Sequence, residues 1–305
     1  MSSQSPALTR PSESAQDRSE RHLAWLFLSP ALLLVAGISA LPVAQALFYS
    51  TFRTAYLERT SFVGFLQYTE ALSDPRFLQN VVSTTAFTFW SLVFAIPLGT
   101  VAAIVLNQPI RFGVAFRTML LLPWMMSQLV TGLLWSWLVN ALDGPVPYLL
   151  DVIGIAHGDL LSSRIGAMAV LVTANVWHSY GFVTVLLLGA LQTIPRELYE
   201  AAECDGAGAW QCFRWVTLPF LFQPLMVAAI MQTLNDVNAV VLPLVLTGGG
   251  PFNATEVLGL RVYKEAFEQW HIGPAAAVSF MMFIINMVIS IGYIRLLKRR
   301  AGDSQ

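Results

Sequence analysis

From Leu23 to Phe52 the chain runs for thirty residues without one charged side chain, and that stretch decides which solvent the protein folds in. The hydrocarbon core of a bilayer, about 30 Å thick, needs about 20 helical residues to cross it. Inside that core every backbone N–H and C=O must be satisfied, which leaves helices or closed barrels. Neutral runs recur at about Asn80 to Asn107, Thr118 to Leu142, Ala167 to Ile194, Leu218 to Leu246 and Gly273 to Ile294, with Asp236 the one charge inside them. The chain is 56% apolar and only 11% charged, with mean hydropathy +0.62, whereas a soluble domain carries about 25% charged residues. The expectation is an all-α integral membrane protein with six transmembrane helices. Prolines at 30, 42, 97 and 123 fall in or at the ends of spans, where neighbouring helices can satisfy the freed backbone groups.

Residues 1–22 hold six serines, three arginines and three acids with scarcely any apolar periodicity, the composition of a solvated, structureless tail. Ala44-Gln45-Ala46 looks slightly like a signal cleavage site, but the apolar run before it is too long for a signal peptide, so it is kept as a helix. The expected organisation is a tail over 1–22, a six-helix membrane domain over 23–297 and a basic tail over 298–305. Lys and Arg in short flanks set orientation. With the amino terminus inside, eleven of them (10, 18, 21, 111, 117, 196, 214, 295, 298, 299, 300) are cytoplasmic and six (53, 59, 76, 164, 261, 264) external. Both termini are therefore expected in the cytoplasm. A formal net charge of −1 supplies no field for nucleic acid. Cys204 and Cys212 form neither a disulfide framework nor a metal signature, and no metal site is expected.

The connection between the fourth and fifth neutral runs, residues 195–219, reads as a short helix, a break and a second short helix. Pro195 suits a first turn, Glu197 and Glu200 lie near the positive helix end, and Asp205-Gly206 supplies the stop. Trp210 and Phe213 lie three apart, on one face. An acidic helix tip with small alanines lets another protein's backbone approach, and its carboxylates offer charge-assisted bonds.

Glu200-Ala201-Ala202, Asp205-Gly206-Ala207 and Leu218-Pro219 together resemble the EAA loop of bacterial ABC-importer permeases. Phe62-Val63-Gly64-Phe65 through Tyr68, Asp74-Pro75, Leu122-Pro123-Trp124, Leu191-Gln192-Thr193-Ile194-Pro195 and Leu246-Thr247-Gly248-Gly249-Gly250-Pro251 narrow the resemblance to the MalF-like permeases of carbohydrate importers. It covers most of the chain from Leu23 onward and implies the six-helix permease fold of the MetI/MalF type, in a bacterial inner (cytoplasmic) membrane. Where the family commonly has Phe-Asp before the Leu-Thr turn, this chain has Val240-Val241. The maltose member's extra amino-terminal helices and large periplasmic insert are absent.

Nothing in the sequence supplies energy. A Walker A loop needs a lysine after a glycine-rich turn, and the lysines, Lys264 and Lys298, follow none. The resemblance therefore implies a transport subunit with no catalytic residues and no cofactor of its own. Its implied partners are two ATP-binding subunits that bind ATP and Mg, a second, similar permease forming a heterodimer, and an extracytoplasmic solute-binding protein. The coupling residues would be Glu200, Ala201, Ala202, Asp205, Gly206 and Ala207.

An ionisable group at the centre of a span costs about 2.5–3.5 kcal/mol and normally faces a cavity or partner. Gln232, Asn235, Asp236 and Ala239 lie at i, i+3, i+4 and i+7, on one helix face, which suits a hydroxylated ligand that must replace lost water. The resemblance implies that the fifth span lines a sugar site and places Gln232, Asp236 and Ala239 there, with His178, Ser179 and Phe182 opposite on the fourth span. The same side chains, and Asn238, serve equally as interhelical hydrogen-bond partners. The Thr247–Pro251 turn is expected at the face of the binding protein. A sugar or polyol is the expected cargo; glycerol phosphate or another non-sugar solute is the alternative, against which the sparse cationic lining argues. A proton-coupled carrier using Asp236 would need internal repeats, which do not appear. An intramembrane hydrolase using Asp236 and His178 would need motifs that do not occur.

Overall fold

The computed structural model describes residues 15–55, 58–109, 113–154 and 159–302. Two units, residues 1–48 and 49–305, are distinguished. The first holds nearly all of α1 (Ala15–Tyr49), which contains Pro30 and Pro42 and whose segment Trp25–Tyr49 is long and apolar enough to cross a membrane. Helix begins at Ala15, so residues 15–22 of the expected structureless tail are helical, while residues 1–14 lie outside the described residues.

In the second unit a hairpin of β1 (Phe52–Ala55) and β2 (Glu58–Phe62) pairs Phe52 with Phe62 and carries an irregularity at Arg53/Thr54. After α2 (Leu66–Ser73) comes α3 (Pro75–Leu106), started by Asp74, whose carboxylate accepts the Arg76 N–H at 2.9 Å, and by Pro75 in the first turn. Pro75 has no N–H to leave orphaned there. Next are α4 (Gly113–Met125), α5 (Gln128–Leu138) and α6 (Pro145–Val152). Then α7 (Arg164–Leu191), capped by Ser163, leads to α8 (Arg196–Cys204) and the single turn α9 (Ala209–Cys212). A π-turn at Phe213–Thr217 runs into α10 (Leu218–Val237), followed by α11 (Val241–Thr247) and α12 (Leu258–Tyr263). A second π-turn, Lys264–Glu268, precedes α13 (Ile272–Gly302), which extends through part of the expected basic tail.

Among the described residues five helices are long and apolar enough to cross a membrane, and a pair bent by 96°, Ala115–Met125 and Gln128–Leu138, has the form of a broken sixth span or a re-entrant loop. The third neutral run is thus not one straight helix. Pro123 removes a backbone donor near the end of α4, and Ser127, extended at φ −67° and ψ 143°, starts α5 anew by accepting the Leu129 N–H. Side chains of α7 reach carbonyls in the last turns of α4: Tyr180 Oη donates to Leu120 O at 2.6 Å, and His178 Nδ1 lies 3.1 Å from Pro123 O. The fifth run is also broken, between Val237 and Val241, so α10 and α11 are separate.

The core is built on α3 and α7. Phe87, Leu171 and Val176 pack with Leu242 and Leu260 at one end, and Ala103, Val183, Leu187 and Leu191 with Leu221 at the other. Between spans the helices gain no hydrophobic advantage over lipid, so close backbone approach at small residues holds them. Gly99 of α3 is such a site: a Cβ there would sit 2.6 Å from Val183 Cβ, and Thr184 Oγ1 reaches Gly99 O at 3.3 Å. Gly181 admits Trp124 in the same way.

Candidate functional site

Two places carry the chemistry, at one end of the bundle and in its middle. At the end, α8 has no buried residue. Pro195 sits just before the helix as its N-cap rather than inside the first turn, and Glu197 faces the positive helix end. The helix stops in a Schellman motif: the Gly206 N–H bonds Glu203 O at 3.0 Å, and the Ala207 N–H bonds Ala202 O at 2.9 Å. This geometry needs a left-handed residue, and Gly206 supplies it at φ +82°. Asp-Gly-Ala is thus the helix stop itself. Glu200, Ala201, Asp205 and Gly206 are exposed, and Ala202 and Ala207 half-buried.

Two contacts fasten this elbow to the spans. Tyr199 Oη lies 2.9 Å from Thr217 Oγ1, and buried Cys212 points its thiol at Ala207 O, 3.8 Å away. Trp210 and Phe213 pair with ring centroids 5.5 Å apart, leaving Trp210 71% exposed.

In the middle, α7 and α10 face each other across a cavity of about 100 Å³. All six residues named from the sequence as solute contacts line it: His178, Ser179 and Phe182 from α7, with Gln232, Asn235 and Asp236 from α10. Asp236, 2% exposed, accepts from Gln232 Nε2 at 2.8 Å and Asn175 Nδ2 at 2.9 Å, both on Oδ1. Its Oδ2 and Ser179 Oγ are buried without a hydrogen-bond partner among the described residues. Such groups carry a desolvation penalty that a ligand hydroxyl or water relieves. His178 Nδ1, near Pro123 O, also lies 3.3 Å from Thr131 Oγ1. Trp124 and Phe182 set their rings 6.2 Å apart, an aromatic wall on one side.

Sequence reasoning missed Asn175, which lines the cavity and also donates to Ser91 Oγ of α3 at 3.0 Å. Its place one helical turn before Ser179 was the available signal; nothing singled out Ser91. Asn238 stands outside the cavity, donating to Leu234 O and accepting from Asn286 of α13 at 3.1 Å, the interhelical role. A larger groove of about 800 Å³ between α3 and α7 is walled by side chains such as Trp90, Phe94, Leu98 and Met168. It offers a hydroxylated solute few partners.

The turn after α11 lies at the end of α7 remote from α8. Gly248 and Gly249 take positive φ, and Lys264 Nζ donates to Gly248 O at 2.7 Å and to Glu256 Oε2 at 3.2 Å. Arg261, 8% exposed, gathers the strands of chain there: it bonds Asp74 Oδ2 and Glu265 Oε1, each at 2.8 Å, and Asn80 Oδ1 at 3.1 Å. Among the described residues no group of three or more His, Cys, Asp and Glu side chains is arranged to hold a metal ion.

Comparison with known proteins places this geometry. The sequence profile of the binding-protein-dependent transport system inner membrane component family matches residues 95–302. The sulfoquinovosyl glycerol transport system permease protein SmoG of Agrobacterium fabrum is 30% identical over 93% of both chains. The trehalose/maltose transport system permease protein MalF of Thermococcus litoralis is 31% identical over 90% of this chain and 94% of its own. The sn-glycerol-3-phosphate transport system permease protein UgpA of Brucella abortus is 30% identical over 92% of this chain and 97% of its own. In fold, the chain is similar to one in a bacterial alginate ABC transporter in complex with alginate pentasaccharide-bound periplasmic protein. There the TM-score is 0.78 at 20% identity, over 94% of this chain and 98% of the other.

Proposed function

Because the chain belongs to the binding-protein-dependent transport system inner membrane component family, we propose that it forms half of an ATP-driven path across the membrane, its exposed α8 elbow gripped by a separate ATPase. It is a multi-pass ABC importer permease subunit, a transport component and not an enzyme. The observation that carries the proposal is the bareness of α8: nine residues, none buried, fixed through Tyr199 to Thr217 in the π-turn that leads into α10. A helix so exposed, yet rigidly stopped and anchored, is built to be held by something else. On this reading Glu200, Ala201, Ala202, Asp205, Gly206 and Ala207 seat in a cleft of an ATP- and Mg-binding subunit.

Two such subunits serve two elbows, so a second permease completes the assembly, and we take it to be similar but distinct. The Lys and Arg distribution supports both termini and the elbow in the cytoplasm, with the membrane domain over 23–297. The turn at Thr247–Pro251 then faces a solute-loaded binding protein outside. Gln232, Asn235, Asp236, His178, Ser179 and Phe182 contact the solute in transit, a sugar or related polyol. A cavity of about 100 Å³ is well below the ~300–1,000 Å³ typical of a complete ligand pocket, which fits a site closed by the second permease.

The test is co-purification and crosslinking. Cys204 on α8 is exposed, and a short thiol-to-amine crosslinker on it is expected to capture the ATPase subunit of the purified assembly. Labelling of Cys204 by a membrane-impermeant maleimide applied outside intact cells would defeat the reading.

A further inference from the structure

The relatives leave cargo charge open, since one name carries two neutral disaccharides and others a glycerol bearing a sulfonated sugar or a glycerol phosphate. We propose that the cavity around Asp236 sorts solutes by charge, admitting neutral polyhydroxylated molecules and turning away phosphate, sulfonate and uronate anions. This rests on the reading that the cavity belongs to the translocation path.

Three observations carry it. First, among the described residues the lining contains neither lysine nor arginine. An anion taken from water into such a place meets no countercharge, and burying an unpaired charge is far costlier than burying a hydroxyl that finds a partner. His178 is the one lining group able to become cationic, and its Nδ1 is turned away to Pro123 O and Thr131 Oγ1. Second, of the two buried lining atoms without a partner among the described residues, Ser179 Oγ can donate or accept, whereas Asp236 Oδ2 is a carboxylate oxygen. A carboxylate oxygen seeks a donor, which a sugar hydroxyl supplies and a phosphate or sulfonate oxygen does not. Third, Asp236 is held in place. Asn175 and Gln232 both donate to Oδ1, and Asn175, tied also to Ser91, has no N–H left for an anion. Asn175 thus spends its donors inside the wall, while Asp236 keeps one acceptor oxygen unpartnered. An aromatic face from Phe182 and Trp124 suits the apolar side of a sugar ring.

Asn235 lines the cavity and is exposed, so a thiol there reads the local potential. The assembled importer carrying Asn235→Cys, with Cys204 and Cys212 replaced by serine, is treated in parallel with 2-(trimethylammonium)ethyl and 2-sulfonatoethyl methanethiosulfonate. Rates are normalised to those of free 2-mercaptoethanol. The cationic reagent is expected to be favoured by about tenfold, and Asp236→Asn to reduce that preference by about threefold or more. A normalised preference at or below unity, or one indifferent to Asp236→Asn, overturns the proposal. So does a thiol closed to both reagents in every nucleotide state. The chain with Asp236 intact is itself informative, so a poorly folding Asp236→Asn protein does not shelter the idea. Independently, proteoliposomes holding the importer, its binding protein and ATP are expected to leave sn-glycerol 3-phosphate outside; its ATP-dependent accumulation overturns charge sorting while upholding the transport reading. Failure of that reading shows differently, as Cys204 capturing no ATPase subunit.

Discussion

Asn175 Nδ2 lies 2.9 Å from Asp236 Oδ1, joining the middle of α7 to the last turn of α10. The same nitrogen reaches Ser91 at 3.0 Å, so one carboxamide holds three spans around the cavity.

Asn175→Leu removes both bonds and leaves Asp236 with Gln232 alone. The expected cost is about 1–3 kcal/mol, the penalty of a buried polar group left short of a partner. It is read as a lowered thermal midpoint of the purified assembly, with Ser91→Ala costing less because Asn175 keeps Asp236. Equal midpoints for wild type and Asn175→Leu would show that the bridge contributes nothing.

Gly206 stands at φ +82° with open space where a Cβ would go, so only backbone conformation resists substitution. Gly206→Ala is expected to cost about 1–2 kcal/mol at this left-handed position and to lower uptake per ATP hydrolysed. Gly206→Pro, whose ring forbids that φ, is expected to abolish coupled uptake. Normal coupling in the proline variant would refute the role given to the cap.

Tyr199→Phe deletes one hydroxyl and its bond to Thr217. A loss of about 0.5–1.5 kcal/mol is expected to loosen α8 from α10 without unfolding the spans. Hydrogen exchange at residues 196–204 should quicken while α7 amides keep their protection; uniform quickening of both would point to global destabilisation instead.

Gly99→Val places methyl groups where Val183 already sits 2.6 Å from a hypothetical Cβ. Overpacking of this kind costs about 1–3 kcal/mol, and here backbone also crowds the site, with Tyr180 O at 2.9 Å. Reduced yield of monodisperse protein is expected, partly restored by Val183→Ala in the same chain. No restoration would mean that the α3–α7 contact is not what Gly99 serves.

Arg261→Met strips the countercharge from Asp74 and Glu265 together. Removing one partner of a largely buried pair costs about 3–5 kcal/mol, which is a ceiling here because the Asp74 side chain is 31% exposed and water solvates it once Arg261 is gone. Proteolysis at residues 247–257 is the check, expected to rise sharply in the variant and not in the exposed-pair control Arg53→Gln.

The spans were legible because hydrocarbon demands long neutral runs, and such runs are visible without any knowledge of partners. Direction within a run is not. Hydropathy registers Thr118 to Leu142 as one crossing, whereas Ser127 starts a second helix at 96° to the first. The hairpin at Phe52–Phe62 was missed for a related reason: its short strands are rich in charge and lie beyond the apolar runs, held instead by the Phe52–Phe62 edge contact. In the cavity, helical spacing alone brought Gln232, Asn235 and Asp236 to one face, and a helix opposite supplied His178, Ser179 and Phe182. Asn175 escaped because an uncharged amide in a span looks the same whether it glues helices or lines a void; here it does both. The elbow was read well since Asp-Gly-Ala encodes its backbone geometry locally, with no distant contact required.

The π-turn at Phe213–Thr217 passes straight into α10, so the foot of the elbow and Asp236 belong to one continuous rod. From Thr217 to Asp236 that rod measures about 28 Å at 1.5 Å per residue. On the proposed reading a push on α8 passes through the capped turn at 205–208 and the Tyr199–Thr217 contact into this rod, which then moves beside the cavity as a single lever arm.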